Sequence, residues 1–247
     1  MKTVTRALVV RSVDYKDSDK ILTLLTPDMG KLSAGARGCR KKGSAIAAAC
    51  QLLCWSELVL SDRGGKWSVS EASTLREFLG VRRDLDKLAL ACYFAEMAEV
   101  LSVEGMPSPG LLSLTLNSLH ALECLDRPPE QIKAVFELKA MCLAGYEPLI
   151  EGCALCGEED PEQGWFHLQE GVLCCAACRE SGDGWVPLTP GMLAAMRHVV
   201  YGDDKRLFSF RLGGEDLKAL SRLTEDYVQT QLERGFGTLD FYHQMKM

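Results

Sequence analysis

Two cysteine pairs limit what this chain can fold into more than any other feature. Cys153-Ala-Leu-Cys156 and Cys175-Ala-Ala-Cys178 are separated by 18 residues, a spacing within the zinc-ribbon range. Two cysteines three apart on a tight turn can offer both thiolates to one ion. Two such knuckles complete a tetrahedron with bonds of about 2.3 Å. Gly157 suits the turn after the first pair, and the intervening WFHLQEGVLC reads as a small hairpin. Four protein ligands leave no open coordination position, so one zinc ion (Zn) is expected in a structural role. Cys174 is an alternative to Cys175, but it would make the second knuckle C-x-x-x-C. The preferred ligand set is therefore Cys153, Cys156, Cys175 and Cys178.

This reading depends on a reducing compartment. The opening MKTVTRALVVRSVDYKDSD returns to charge at Arg11 and lacks a small-residue cleavage site, so a cytoplasmic location is expected. No stretch approaches the ~18–20 apolar residues of a membrane span. In the cytosol an odd count of 11 cysteines does not suggest a disulfide framework. Cys39, Cys50, Cys54, Cys92, Cys124 and Cys142 lack ligand spacing and are read as small buried hydrophobes.

The remaining sequence divides by hydrophobic period. Residues 1–80 alternate in short branched runs broken by YKDSDK and PDMG. AIAAACQLLCW reads as a short helix, and Glu57–Ser70 reads as a hairpin turning at Asp62–Gly65. About five strands and one helix fit a small barrel of the OB type. From Arg82 onward the apolar spacing is helical, over 84–103, around Leu112–Leu119, from Ile132 to Leu143, from Pro190 to about Val200, and over Glu215–Arg234. The expected fold class is α+β. It comprises an OB-fold domain over 1–80, a helical domain over 81–150 and 188–247, and a zinc-binding insert over 151–187.

Charge follows the same division. Residues 1–80 hold 13 Lys/Arg against 8 Asp/Glu, and the remainder holds 15 against 26. A basic end on an acidic chain suggests an anionic partner for that end. Lys31, Arg37, Arg40, Lys41 and Lys42 fall within twelve positions free of acidic residues. On an OB-like barrel such a segment can follow a phosphate backbone. Trp55 and Trp67 are read as packing residues, with base stacking as the alternative. Asp14, Asp17 and Asp19 are read as a polar turn between two strands.

No phosphate loop, nucleophile elbow, H-E-x-x-H or G-x-G-x-x-G occurs. The four histidines lack partner patterns, so no enzyme is expected.

The order of these parts resembles the RecO family of bacterial recombination mediators. The resemblance rests on Asp17–Asp19, Leu25–Gly30 and Ala36–Ser44, then on VFELKAMCLAGYEP, then on the C-x-x-C-G and C-x-x-C pairs. It places Cys175 at the third ligand position. It implies a cytoplasmic, nucleoid-associated protein of DNA repair and homologous recombination in the RecFOR pathway. Such a protein binds single- and double-stranded DNA, anneals complementary strands and, with RecR, loads RecA on strands coated by single-strand-binding protein, whose C-terminal tail it contacts. An apolar groove rimmed by Lys133 or Lys139 is the expected place for that tail. The alternative is a zinc-stabilised protein–protein adaptor with little DNA affinity.

Overall fold

The computed structural model describes residues 2–246. Period-two alternation builds the first part. β1 (Lys2–Tyr15), β2 (Asp19–Thr26), β3 (Gly30–Ala36), β4 (Trp55–Arg63) and β5 (Lys66–Arg76) close into a barrel of order β1-β2-β3-β5-β4. Ala7 and Val9, Leu22 and Leu24, Leu32 and Ala34, and Leu58 and Leu60 point inward at every second position and fill it. β1 serves two neighbours. It pairs with β4 through Lys2–Leu8 and with β2 through Leu8–Tyr15, and an irregularity between Val9 and Arg11 bends it between them. The barrel closes where β3 meets β5 in the parallel pairs Ala34↔Trp67 and Gly35↔Ser68.

The short helix expected over AIAAACQLLCW is instead a run of turns. Its hydrogen bonds mix spacings, as in Ala47 N–H to Ser44 O and Cys50 N–H to Ile46 O. Leu53, at φ 64°, then returns the chain to β1, its N–H donating to Val9 O at 2.8 Å. So short a segment cannot offset helix nucleation when its end must rejoin a strand.

Two compact units emerge. One holds the chain up to Leu125 together with the segment from Phe236 on, and the other is Asp126–Gly235. In the first unit the barrel is joined by α1 (Leu79–Arg82), α2 (Leu85–Leu101), α3 (Pro109–Cys124) and α7 (Gly237–Met245). Asp84 caps α2 by accepting from Lys87 N–H at 3.1 Å. α2 is buried almost all round, from Ala89 to Ala98. It packs against β1, α3 and α7, and Tyr93 meets Phe236 edge-on at 5.4 Å. The turn after α2 and the backbone of β3 also touch. Gly30 sits at φ +65°, where an added Cβ would collide with the Met106 backbone.

In the second unit, α4 (Pro129–Leu143) packs on α6 (Gly214–Leu232) and α5 (Pro190–Tyr201). The cysteine-rich segment forms β6 (Gly164–His167), β7 (Val172–Cys175) and β8 (Trp185–Leu188) in the order β7-β6-β8. The expected hairpin thus gains a third strand. β8 lies at the edge, the position in a sheet that tolerates Pro187. The groove rim expected at Lys133 is not there. Lys133 is 1% exposed, and its ammonium lies 2.9 Å from both Glu137 and Glu225. Lys139 pairs with Asp204 at 2.9 Å.

Candidate functional site

The β1–β2 turn, the outer faces of β2 and β3, and the β4–β5 hairpin surround an open cleft of about 860 Å³. In OB folds the strand 2–3 face and these two loops take up oligonucleotides. The alternation that sends Leu32 and Ala34 inward leaves Ser33 and Gly35 on the outside, beside Ile21 of β2. Lys16 and Lys20 reach the cleft from the first turn and β2, Arg37 from the end of β3, and Arg63 and Lys66 from the hairpin. None of these five makes an ion pair within 4 Å among the described residues. Asp19 and Glu104 are the acidic members of the lining.

The basic segment splits. Arg37, Arg40, Lys41 and Lys42 are exposed. Lys31 turns away from the cleft and donates to Glu99 O of α2 at 2.7 Å. Arg40 pairs with Asp14 at 3.2 Å, which answers its charge. The acidic turn anchors this loop. Asp19 accepts from Gly38 N–H at 2.7 Å, and Arg40 N–H donates to Ser18 O at 2.9 Å. The Gly38 bond, helped by Ser18, Lys16 and Arg37, holds the Asp19 carboxyl below its ordinary pKa despite some burial. Sequence reading missed Lys16, Lys20, Arg63 and Lys66. Their signal was the position of each beside a strand end that the barrel topology brings to one mouth.

The four paired cysteines converge. The sulfurs of Cys153, Cys156, Cys175 and Cys178 all lie within 4.8 Å of one another, and the group could hold a metal ion. Cys156 Sγ and Cys175 Sγ are 3.8 Å apart, matching the edge of about 3.8 Å that tetrahedral bonds of about 2.3 Å dictate. The knuckle turns are visible in the backbone. Gly157 N–H donates to Cys153 O at 2.8 Å with Gly157 at φ +78°, and Arg179 N–H donates to Cys175 O at 3.0 Å. Cys174 lies outside the group and is buried.

Burial pushes the Cys153 thiol up, but N–H groups of Cys156, Cys175 and Leu155 bring it down to about 6. Hydrogen bonding to the thiols of Cys175 and Cys156 pushes Cys178 up to about 12. One ionised sulfur suppresses ionisation of its neighbours at this range, and a divalent cation among them removes that repulsion. The donor set therefore fits zinc.

His120, Glu123 and Cys124 also converge within 4.8 Å. A cation already stands among them. Arg76 Nη2 is 2.8 Å from His120 Nδ1 and 2.7 Å from Glu123 Oε2, which ties the end of β5 to α3.

Comparison with known proteins gives one consistent result. Residues 1–78 match the family model described as recombination protein O N terminal, and residues 82–240 match recombination protein O C terminal. The chain is 31% identical over 237 residues to the DNA repair protein RecO of Acetivibrio thermocellus, covering 96% of this chain and 94% of the relative. It is 32% identical over 237 residues to that of Symbiobacterium thermophilum, covering 95% and 94%. A relative of the same name from Desulfitobacterium hafniense is 30% identical over 235 residues, covering 93% and 85%. No described helix is long and apolar enough to cross a membrane.

Proposed function

This chain belongs to the recombination protein O family, and from that premise we propose that it is a non-enzymatic mediator of DNA repair and homologous recombination whose barrel binds DNA. In this reading it works in the cytoplasm at the nucleoid. It anneals complementary strands and, with RecR, loads RecA on DNA covered by single-strand-binding protein, engaging that protein's C-terminal tail. Membership supports the repair and recombination role. The observation that carries the DNA-binding reading is the cleft, where five cations, four of them exposed, have no carboxylate within 4 Å among the described residues.

Phosphates would enter along Arg37, Lys41 and Lys42 and run across the mouth lined by Lys16, Lys20, Arg63 and Lys66. Each phosphate neutralised releases condensed counterions, so binding strengthens steeply as salt falls. Two strands neutralised on one surface repel each other less, which lets a protein without an active site speed annealing. Lys31 and Arg40 would contribute less, because a backbone carbonyl and Asp14 already engage them. One zinc ion held by Cys153, Cys156, Cys175 and Cys178 would supply folding energy rather than chemistry, because four thiolates leave no place for a reacting group.

The test is a salt titration with labelled single-stranded DNA. Replacing Arg37, Lys41 and Lys42 with Ala together should weaken binding by at least tenfold at low salt. It should lower the slope of log K against log salt by about 2, at about 0.7 per lost contact. An unchanged slope would remove this segment from the interface. Replacing Lys16 and Lys66 with Glu should have a similar effect through the cleft itself.

A further inference from the structure

The two knuckles of the cysteine group are held by different means. Cys175 ends β7, where it pairs with Gly164 of β6, and Ala176 N–H donates to Gln163 O at 3.2 Å, so the strand ladder fixes the second knuckle. The first knuckle lies in the stretch 151–163, which has no regular secondary structure. One side chain joins the two ends of that loop. Arg197 of α5 donates from Nε to Ile150 O at 2.8 Å and from Nη2 to Glu151 O at 2.7 Å, just ahead of Cys153. The same Nη2 donates to Glu159 O, beyond Cys156, and Nη1 pairs with Asp160 at 2.7 Å. One turn along α5, the Tyr201 hydroxyl accepts from Ile150 N–H and donates to Pro148 O, both at 3.2 Å. Asp160 is 85% exposed, so its ion pair counts for little. The carbonyls count for more, because the Arg197 side chain is mostly sheltered from water and its planar fork meets backbone on both sides of the loop.

We propose that Arg197 is a positioning residue for the metal: it closes the loop that carries Cys153 and Cys156, so that both thiolates stand against the second knuckle before an ion arrives. The inference rests on the cysteine group holding zinc and adds the residue that presents half of its ligands. Arg197 acts through the loop, since its contacts are oxygens on either side of the cysteines. A loop ordered in advance loses less freedom when the ion binds, and it opens less often afterwards. Partners one step removed from the ligands typically change metal affinity by about 10–100-fold. Lysine at this position keeps the charge and one donor nitrogen, but it gives up the Nε contact to Ile150 and the planar fork.

The experiment follows the zinc-loaded full chain as an excess of a chromophoric chelator takes up the metal, with hydrogen exchange measured on the same samples. Arg197→Ala should release zinc about tenfold faster than wild type. It should speed exchange of the Cys153 and Gly157 amides, which bond within the first knuckle, and leave the Arg179 amide of the second knuckle at its wild-type protection. Arg197→Lys should give an intermediate rate, and it carries the same test if Arg197→Ala does not fold. Asp160→Asn should release zinc within about twofold of wild type, as an exposed partner predicts. Lys133→Met lowers the stability of the same unit from a distant core position, and zinc release from its folded form should stay at the wild-type rate. An unchanged release rate in both Arg197 variants would overturn the proposal. So would an equal acceleration in Lys133→Met, which would make the effect one of general stability. In either case a wild-type content of about one zinc per chain leaves the metal reading standing. A wild-type chain that takes up no zinc removes both readings.

Discussion

The barrel cleft and the core of the second unit each gather lysine and carboxylate, with opposite results. At the cleft, four of five cations are exposed and none has a partner carboxylate within 4 Å among the described residues. In the second unit, Lys133 is shut away between α4 and α6. Its ammonium touches Glu137, Glu225 and Ser221 O at 2.9 Å each, and Thr224 Oγ1 donates to Glu137 at 2.7 Å. Burial works against the Lys133 ammonium, but the two carboxylates outweigh it, and its pKa rises above the ordinary value. The same residue type is a structural tie in one place and an unanswered surface charge in the other. What separates them is whether the charge is answered before any ligand arrives.

The cysteine group should give the largest effect. Structural zinc in finger peptides contributes about 10–16 kcal/mol of folding energy. Cys153→Ser or Cys178→Ser should therefore abolish a metal content of about one zinc per chain and unfold Asp126–Gly235 by hydrogen exchange, while the barrel keeps its DNA affinity. Loss of DNA binding in step with zinc would break the separation between the two regions.

Lys133→Met comes next. Removing one partner of a buried pair costs about 3–5 kcal/mol, because the other charge is stranded. The denaturant midpoint should fall accordingly, with no change in the salt slope of DNA binding. Adding Glu137→Leu and Glu225→Leu should recover much of the loss, because apolar replacement of a whole buried ionic group is often neutral. At the cleft rim the expected changes are smaller and opposite in sign. Arg40→Ala should weaken DNA binding less than Arg37→Ala, and Asp14→Asn should tighten it by releasing Arg40. Anisotropy at low salt measures both.

Much of this arrangement is legible in the sequence, and the exceptions have physical causes. Period-two runs announce the barrel because each strand has one wet face. The four-cysteine group is legible because both knuckles are local. The cleft is not, because Lys16 and Lys20 flank Asp17 and Asp19, and Arg63 follows Asp62. Lys16–Lys20 sums to zero and Asp62–Lys66 to only +1, so no window stands out, and only closure of the barrel sets the cations around one mouth. Lys133 misled for a related reason. A helical lysine belongs by default at the surface, and the partner that keeps it inside, Glu225, lies on a different helix. The Lys133/Glu137 spacing of four was visible, but without the third charge it reads as an ordinary exposed pair.

The smallest expected effect tests the comparison most sharply, because electrostatics and geometry assign it opposite signs. Asp19 is a carboxylate in a cationic cleft, so charge alone says that removing it should strengthen DNA binding. Its geometry says otherwise, since it accepts the Gly38 N–H and so holds the loop that carries Arg37, Lys41 and Lys42. Asp19→Ala should speed exchange of the Gly38 amide and weaken DNA binding by about threefold, the scale of one ordinary hydrogen bond. Asp19→Asn, which keeps an acceptor oxygen, should do less. The pH dependence follows from the lowered pKa. A carboxyl depressed in the folded state stabilises the loop above its unfolded value of about 3.9, and that contribution is lost as pH falls through the lower folded value. Gly38 protection should therefore hold from neutral pH down to about 4 and decline below it. If Asp19→Ala tightens DNA binding instead, the acidic turn is a repulsive neighbour of the cleft rather than its anchor.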